Sequence, residues 1–99
     1  MRIEWSPLAL DDRDRIFDYY DIEEDSPSAA ILVDERIAQQ IEVLIDHPEF
    51  GRPGRVDDTR ELVISKTPYI VAYRIVGGTV RSLRVLHGAR RWPEEIFAE

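Results

Sequence analysis

A pair of adjacent glycines between two apolar runs constrains the fold of this sequence more than any other feature. Gly77 and Gly78 separate a run rich in Val, Ile and Tyr at 69–76 from a second run rich in Val and Leu at 79–86. Glycine adopts the positive φ angles of a two-residue hairpin turn without a steric penalty. The sequence therefore predicts an antiparallel β-hairpin with its turn at the two glycines.

The position of the turn also predicts which side chains face one another. Residues directly opposite on antiparallel strands interact, and like charges placed opposite each other repel. Arg74 and Arg81 face each other in this register, so we expect either a neighbouring carboxylate or solvent to offset their charge, or an anion to bind between them. The other pairs, counted outward from the turn, are Val76 with Thr79, Ala72 with Leu83, and Ile70 with Val85.

Two Ser-Pro pairs mark the starts of two helices in the first half of the chain. Serine is a favoured N-cap residue and proline is favoured at the first helical position, so helices are predicted at 7–24 and 27–46. Apolar residues recur every three or four positions in the second helix, which predicts one face packed on a sheet. The residues of that face are Val33, Ile37, Ile41 and Leu44.

These elements together predict one α+β domain that covers residues 1–99. A short alternating strand at 2–5 precedes the helices, and a strand at 60–65 precedes the hairpin, which gives the order βααβββ. We expect the helical hairpin to pack on one face of a small antiparallel sheet. Residues 93–99 are predicted to add one helical turn held by Ile96 and Phe97.

The composition argues against several classes of function. The sequence has no cysteine and two histidines that lie far apart, so a disulfide framework, a thiolate metal site and a zinc site are not expected. No apolar stretch approaches the roughly 20 residues of a membrane span, and the N-terminus lacks the apolar segment of a signal peptide. We therefore expect a cytoplasmic protein without a cofactor, a metal or a membrane partner.

The charge is distributed unevenly along the chain. The net charge is −7, but residues 1–50 hold four basic and fourteen acidic residues, whereas residues 51–99 hold nine basic and six acidic residues. We therefore expect an acidic helical half to cover a basic β half. The overall negative charge argues against a general nucleic-acid-binding protein.

A cluster of basic and aromatic residues at the end of the last strand is the candidate functional site. Metal-free cleavage of RNA needs a base, an acid and cations around the phosphate, which His87 and the neighbouring arginines can supply. The same cluster also suits a protein-binding surface, since Arg and Trp are enriched at binding hot spots. A histidine at a strand end is more often structural than catalytic. The cluster consists of Arg84, His87, Arg90, Arg91 and Trp92.

Four segments of the chain together resemble the RelE/ParE superfamily of toxins from type II toxin-antitoxin systems. The segments are 51–55 (GRPGR), 59–62 (TREL), 69–75 (YIVAYRI) and 83–92 (LRVLHGARRW), and the resemblance covers nearly the whole chain. It implies the RelE/ParE toxin fold, in agreement with the βααβββ order. It also implies a toxin that arrests growth and that a cognate antitoxin protein neutralises.

The RelE-like branch of this superfamily resembles ribosome-dependent mRNA endonucleases, and the chain departs from its pattern. Those enzymes carry an arginine at the position of Ile70 and paired lysines at the positions of Glu61 and Val63, so three expected cations are missing. Their late arginine is matched by Arg90, and their nearby tyrosine falls around Ile96. This branch remains the alternative, with the ribosome and mRNA as targets.

The ParE-like branch, which inhibits DNA gyrase, matches the sequence more closely. It tolerates an apolar residue at the Ile70 position, and its strands carry motifs like Tyr73-Arg74-Ile75 and like 84–87 (RVLH). We therefore expect a gyrase inhibitor, with an mRNA interferase as the alternative and an interaction module without toxicity as a third interpretation. The residues expected to bind the target are Arg84, Arg90, Arg91 and Trp92, and the catalytic residues of the interferase alternative are His87 and Arg90.

Overall fold

The predicted hairpin forms the centre of a five-stranded sheet. The computed structural model describes residues 1–92, in which the strands are β1 (Arg2–Trp5), β2 (Arg52–Pro53), β3 (Arg60–Val63), β4 (Tyr69–Val76) and β5 (Thr79–His87). They lie in the order β1-β5-β4-β3-β2. β4 and β5 pair antiparallel around Gly77, whose φ of +58° confirms the predicted turn. The helical turn predicted at 93–99 lies outside the described residues.

The sheet is mixed, which corrects the prediction of a wholly antiparallel sheet. β1 pairs parallel with β5, so that Ile3 lies opposite Val80, whereas the other pairings are antiparallel. The sequence of β1 carries no signal for its partner, because that partner lies at the far end of the described chain. β2 falls in a segment with loop-like composition and pairs with the edge of β3, where a proline is tolerated.

Both predicted helices are present, and the second contains an interruption that the sequence does not reveal. The helices are α1 (Pro7–Asp18), which continues into a π-helical turn at Tyr19–Glu23, followed by α2 (Pro27–Gln40) and α3 (Val43–Asp46). Between α2 and α3 the N–H of Leu44 bonds to the carbonyl of Ile41, three residues back, at 3.0 Å. Such a bond tightens the helix, and no glycine or proline marks the position.

One face of the sheet and the helices enclose the apolar core. The predicted face of the second helix is confirmed, since its four residues are all buried. Ile16 and Tyr20 of the first helical segment pack against this cluster from the side. The cluster contains Val33, Ile37, Ile41 and Leu44 from the helices and Leu62, Ile64, Tyr69, Val71, Tyr73, Val80 and Val85 from the sheet and its turns. The α+β architecture, with helices on one face of a small sheet, is therefore confirmed.

A β-bulge in β5 changes the register of the hairpin. From Ala72 toward the start of β4, each residue pairs one position later on β5 than predicted. One inserted residue moves every later side chain to the opposite face of a strand. Val85 and His87 therefore lie on the helix-facing side, beside Val71 and Tyr69. Ala72 pairs with Arg84 and Ile70 with Leu86, instead of Leu83 and Val85, whereas Arg74–Arg81 and Val76–Thr79 are as predicted.

The start of α1 binds the backbone around this bulge. The Ser6 hydroxyl donates to the carbonyl of Leu83 at 2.8 Å and accepts from the N–H of Ala9 at 3.1 Å, as predicted for an N-cap. The N–H of Ser6 donates to the carbonyl of Ser82 at 2.9 Å. Buried backbone groups need such partners, so Ser6 satisfies carbonyls of β5 at the point where the pairing with β1 ends.

We expect Ser6→Ala to lower the free energy of unfolding by about 2 kcal/mol, because a cap bond and a buried carbonyl both lose their partner. Ser26→Ala is the matched control. The Ser26 hydroxyl caps α2 through a longer, partly exposed bond of 3.4 Å to the N–H of Ala29. Its loss should cost about 0.5 kcal/mol. Urea unfolding of the two variants measures the difference, and equal losses would contradict the role of Ser6 at the bulge.

Candidate functional site

A cleft lies where β4 and β5 meet the side of α1, and we call it the β5-end cleft. Its volume is about 350 Å³. It opens on the side of the sheet to which the bulge directs His87. The polar and aromatic side chains in its walls are Asp12, Arg15, Tyr19, Tyr69, His87, Arg90, Arg91 and Trp92. Concave sites with aromatic walls and a few charged groups are typical of ligand and partner binding.

Asp12 lies in the wall of the cleft next to α1 and belongs to a buried ion pair. Asp12 accepts hydrogen bonds from Nε and Nη2 of Arg84 at 2.7 and 2.9 Å, and from the N–H of Val85 at 2.9 Å. The side chains of Asp12 and Arg84 are 8 % and 12 % exposed. The hydrogen bond with Asp12 raises the pKa of the Arg84 guanidinium above its ordinary value. Arg84 therefore stabilises the wall of the cleft through its ion pair with Asp12. Its expected part in binding the target stays a prediction.

His87 lies in the cleft with one ring nitrogen already engaged. Its Nδ1 accepts a hydrogen bond from the N–H of Ala89 at 3.2 Å, which assigns the proton of the neutral ring to Nε2. Its ring meets the ring of Tyr69 edge to face, with the centroids 5.7 Å apart. The nitrogen that would act as a base is therefore occupied. This geometry favours a positioned side chain over a general base.

Tyr69 is the neutral partner of His87 in the cleft. Burial raises the pKa of the Tyr69 hydroxyl well above its ordinary value, and a hydrogen bond with Tyr20 acts in the same direction. The positive charge of Arg90 opposes this shift and lowers the pKa. The Tyr69 phenol therefore remains protonated at physiological pH and adds no negative charge to the cleft.

A turn after β5 brings the last three site residues to the rim. The N–H of Arg90 bonds to the carbonyl of His87 at 3.2 Å, and Nε1 of Trp92 donates to the same carbonyl at 3.1 Å. Arg90 and Arg91 are exposed, and Trp92 is half-buried. The structure therefore brings His87, Arg90, Arg91 and Trp92 together around one cleft. Trp92 is neither a core residue nor fully exposed.

The predicted pair Arg74 and Arg81 lies away from this cleft, toward the hairpin turn. Arg81 donates from Nη1 to the Glu4 carboxylate at 2.6 Å, so a carboxylate does offset part of the charge at this pair. Arg74 lines a second cleft of about 290 Å³ together with Arg60 and two carboxylates. Binding of an anion between Arg74 and Arg81 stays a prediction.

The sequence analysis did not assign Asp12, Tyr19 and Tyr69 to the site. Asp12 is one of several carboxylates near the start of a helix, where the helix dipole favours them, so its residue type alone does not mark it. A signal was present, because Asp12, Ile16 and Tyr19 recur at helical spacing and so share one side of α1 and its extension. The contact of Tyr69 with His87 depends on the bulge, which the sequence does not reveal.

The described part of the chain, residues 1–92, shows no group of three or more His, Asp or Glu side chains arranged to hold a metal ion. Within those residues no helix has the length and apolar character needed to cross a membrane.

Comparison with models of known protein families assigns the chain to a family. The model for the ParE toxin of the type II toxin-antitoxin system, parDE, matches residues 3–92. This chain belongs to the ParE toxin family. Apart from Arg2, the first residue of β1, the match includes every strand and helix described above, and it includes the β5-end cleft.

Individual relatives agree with this assignment. The chain is similar to toxin Y4kP of Sinorhizobium fredii, with 44 % identity over 94 % of each protein. It is 35 % identical to toxin RelE2 of Caulobacter vibrioides, over 90 % of this chain and 97 % of that protein. A solved chain of the chromosomal ParDE TA system from P. aeruginosa superposes with a TM-score of 0.80 at 27 % identity, covering 88 % of this chain and 95 % of that chain. The ParE-family fold is therefore confirmed by both sequence and structure.

We expect Asp12→Asn to destabilise this ParE-family toxin by about 3–5 kcal/mol, because it leaves a buried guanidinium without its counter-charge. Asp11→Asn is the matched control on the neighbouring residue. Asp11 pairs with Arg15 at 2.9 Å, but both side chains are more than half exposed. Loss of such a surface pair should cost less than about 1 kcal/mol. Chemical denaturation of both variants measures the contrast, and similar losses would contradict the bracing role of Asp12.

Proposed function

We propose that this ParE-family toxin inhibits DNA gyrase by binding and does not cleave RNA. One observation carries the proposal. The RelE-like, ribosome-dependent enzymes carry a cation at each of three sheet positions, and this chain has no cation at any of them. Those positions hold Glu61, Val63 and Ile70. Val63 and Ile70 face each other across β3 and β4, and Glu61 is a buried carboxylate. A phosphate at this position would meet two apolar side chains and a carboxylate in place of the three cations, and Arg52 and Arg55 are already paired with that carboxylate.

The size of the rate loss expected from missing cations supports gyrase inhibition over RNA cleavage. Loss of one preorganised group that stabilises a transition state typically lowers the rate by roughly 10²–10³. Three such groups are replaced in this chain. The Nδ1 of His87, which would have to accept a proton from a ribose hydroxyl, is bonded to the N–H of Ala89. Metal-free RNA cleavage would therefore lack most of its supporting charges.

A binding mechanism needs a surface of defined shape, and the rim of the β5-end cleft has the appropriate residues. Arg91 and Trp92 carry an exposed guanidinium and a half-buried indole beside Arg90. Arg and Trp are the residue types that dominate binding energy at protein interfaces. Trp92 is held by the carbonyl of His87, so little conformational entropy is lost when a partner covers it.

The antitoxin is the second partner, since toxins of this family belong to two-component systems. We propose that basic side chains of the β half bind acidic side chains of the antitoxin. Arg52, Arg55, Arg90 and Arg91 are all exposed there, whereas the helical half is strongly acidic. Complementary charges fix the register of such a complex and accelerate its formation.

Ribosome-dependent mRNA cleavage is the second candidate function. His87 and Arg90 line the same cleft, which favours it, and one relative carries the name toxin RelE2. In this mechanism His87 would exchange a proton with the RNA and Arg90 would stabilise the phosphate. The orientation of Nδ1 would have to change before His87 could act as a base.

The decisive experiment exposes gyrase with supercoiled DNA, and separately translating ribosomes, to the purified toxin. We expect inhibition of gyrase, with a loss of potency of about tenfold for Arg91→Ala or Trp92→Ala, as is usual for hot-spot residues. His87→Ala should matter less, because contact area and not proton transfer sets the potency.

Cleavage of mRNA in the ribosomal A site that disappears in His87→Ala, together with unaffected gyrase, would overturn the proposal. Induction of the gene alone is the control for toxicity. Soluble protein without a growth defect would indicate an interaction module.

The antitoxin proposal predicts a complex whose affinity falls as salt rises, because screening weakens contacts between exposed charges. Co-expression followed by gel filtration at increasing salt measures this dependence. The double variant with Arg90→Gln and Arg91→Gln should show a weaker salt dependence than the unmodified toxin. Failure of the two proteins to co-elute at moderate salt would contradict it.

A further inference from the structure

Glu61 is a buried carboxylate in β3, and the fold surrounds it with donors. Its side chain is 3 % exposed, and it lies opposite Ala72 on one side and Arg52 on the other. A buried carboxylate is costly unless opposing charges and hydrogen bonds satisfy it. Glu61 therefore determines how the groups around it are arranged.

Two arginines from the segment before β3 satisfy this carboxylate. Nη2 of Arg52 donates to Oε1 at 3.1 Å, and the backbone N–H of Arg55 donates to Oε2 at 2.8 Å. Nε of Arg55 forms an ion pair with Oε2 at 3.6 Å. Both arginine side chains are about half exposed, so neither is required to fill the core.

Arg55 makes one further contact that distinguishes it from Arg52. Its guanidinium carbon lies 3.6 Å from the centroid of the Trp92 ring. Arginine stacks on an indole through its planar, delocalised charge. On its edge, the same indole donates from Nε1 to the carbonyl of His87. Trp92 is therefore held by a stacked cation and by a hydrogen bond.

The loop that carries Arg55 is itself tightly folded. The N–H of Gly54 bonds to the carbonyl of Thr59 at 2.8 Å. A Cβ at position 54 would collide with the Thr59 hydroxyl, so only glycine allows this close approach. Thr59 in turn donates to the carbonyl of Val56 at 2.6 Å. The backbone of Arg55 is thus fixed beside Glu61 before its side chain reaches Trp92.

We infer that Glu61 and Arg55 are positioning residues that hold Trp92, and with it the rim that carries Arg90 and Arg91, in a binding-competent conformation. We call Glu61, Arg55 and Trp92 the Glu61 clamp. The clamp joins β3 to the segment after β5, two parts of the chain that the sheet order separates by β4. The expected effect of the clamp on gyrase inhibition rests on the proposed function, whereas its effect on the conformation of Trp92 does not.

The direct test measures hydrogen exchange of the Trp92 indole N–H by NMR. Trp5 is the second tryptophan of the chain and serves as an internal reference, and Trp5→Phe assigns the two signals. Arg55→Ala and Arg55→Lys should accelerate exchange of the Trp92 indole about two- to fivefold, the range expected for loss of one exposed cation–π contact. Lysine keeps the charge but lacks the planar stack.

Arg52→Ala is the matched control, because it removes the other arginine on the same carboxylate and leaves the stack in place. It should leave the Trp92 exchange rate unchanged. Glu61→Gln should act like Arg55→Ala, with thermal unfolding recorded to confirm that the variant is folded. If Arg55→Ala leaves the exchange rate unchanged, or if Arg52→Ala raises it equally, the clamp is overturned.

The gyrase assay on the same variants separates the clamp from the proposed function. Arg55→Ala should lower the potency by more than Arg52→Ala does. If the unmodified toxin leaves gyrase unaffected while the exchange rates differ as expected, the positioning of Trp92 by the clamp is supported and gyrase is excluded as the target. If the unmodified toxin inhibits gyrase and Arg55→Ala retains full potency, the positioning role is overturned even where the exchange rate changes.

Discussion

The carboxylate of Asp12 is the interaction on which the arrangement of the site depends. It is buried at the side of α1, so it must be neutralised and hydrogen-bonded, and β5 supplies both through Arg84 and the N–H of Val85. The bulge in β5 lies at Leu83, next to these groups. It also directs His87 toward Tyr69. The buried carboxylate thus joins the side of α1 to the strand end that carries the cleft.

Ion pairs between the acidic half and the basic half of the chain offset part of its uneven charge distribution. Asp12 with Arg84 and Glu4 with Arg81 each join the acidic half to the basic half. Glu61 neutralises two arginines within the basic half. Several arginines are therefore structural, and the exposed charges of Arg90 and Arg91 gain importance because they lie at the rim of a cleft. Net charge alone does not distinguish the arginines that form structural ion pairs from the exposed arginines at the rim.

The sequence was sufficient to predict the hairpin, both helix starts, the helix face that enters the core and the toxin family. These features depend on local signals such as Gly77 and the capping serines, or on motif spacing. The bulge, the parallel pairing of β1 and the interruption after Gln40 depend on tertiary contacts that leave no local pattern. At the site, the cluster at the end of β5 was predicted. Its contacts with Tyr69, Asp12 and Arg55 were not, because all three residues come from other segments of the fold.

The parallel pairing of β1 with β5 has a consequence for biosynthesis. Arg2 lies opposite Thr79, and Trp5 lies opposite Ser82, so one edge of the sheet joins residues separated by 77 positions. Contacts of such large sequence separation form late, because the closure of a long loop precedes any gain from them. A nascent chain can fold its helical hairpin early, but it has no partner for β1 until β5 has been synthesised. The bulge and the cleft require the same strand, so the β5-end cleft is among the last parts of the molecule to form.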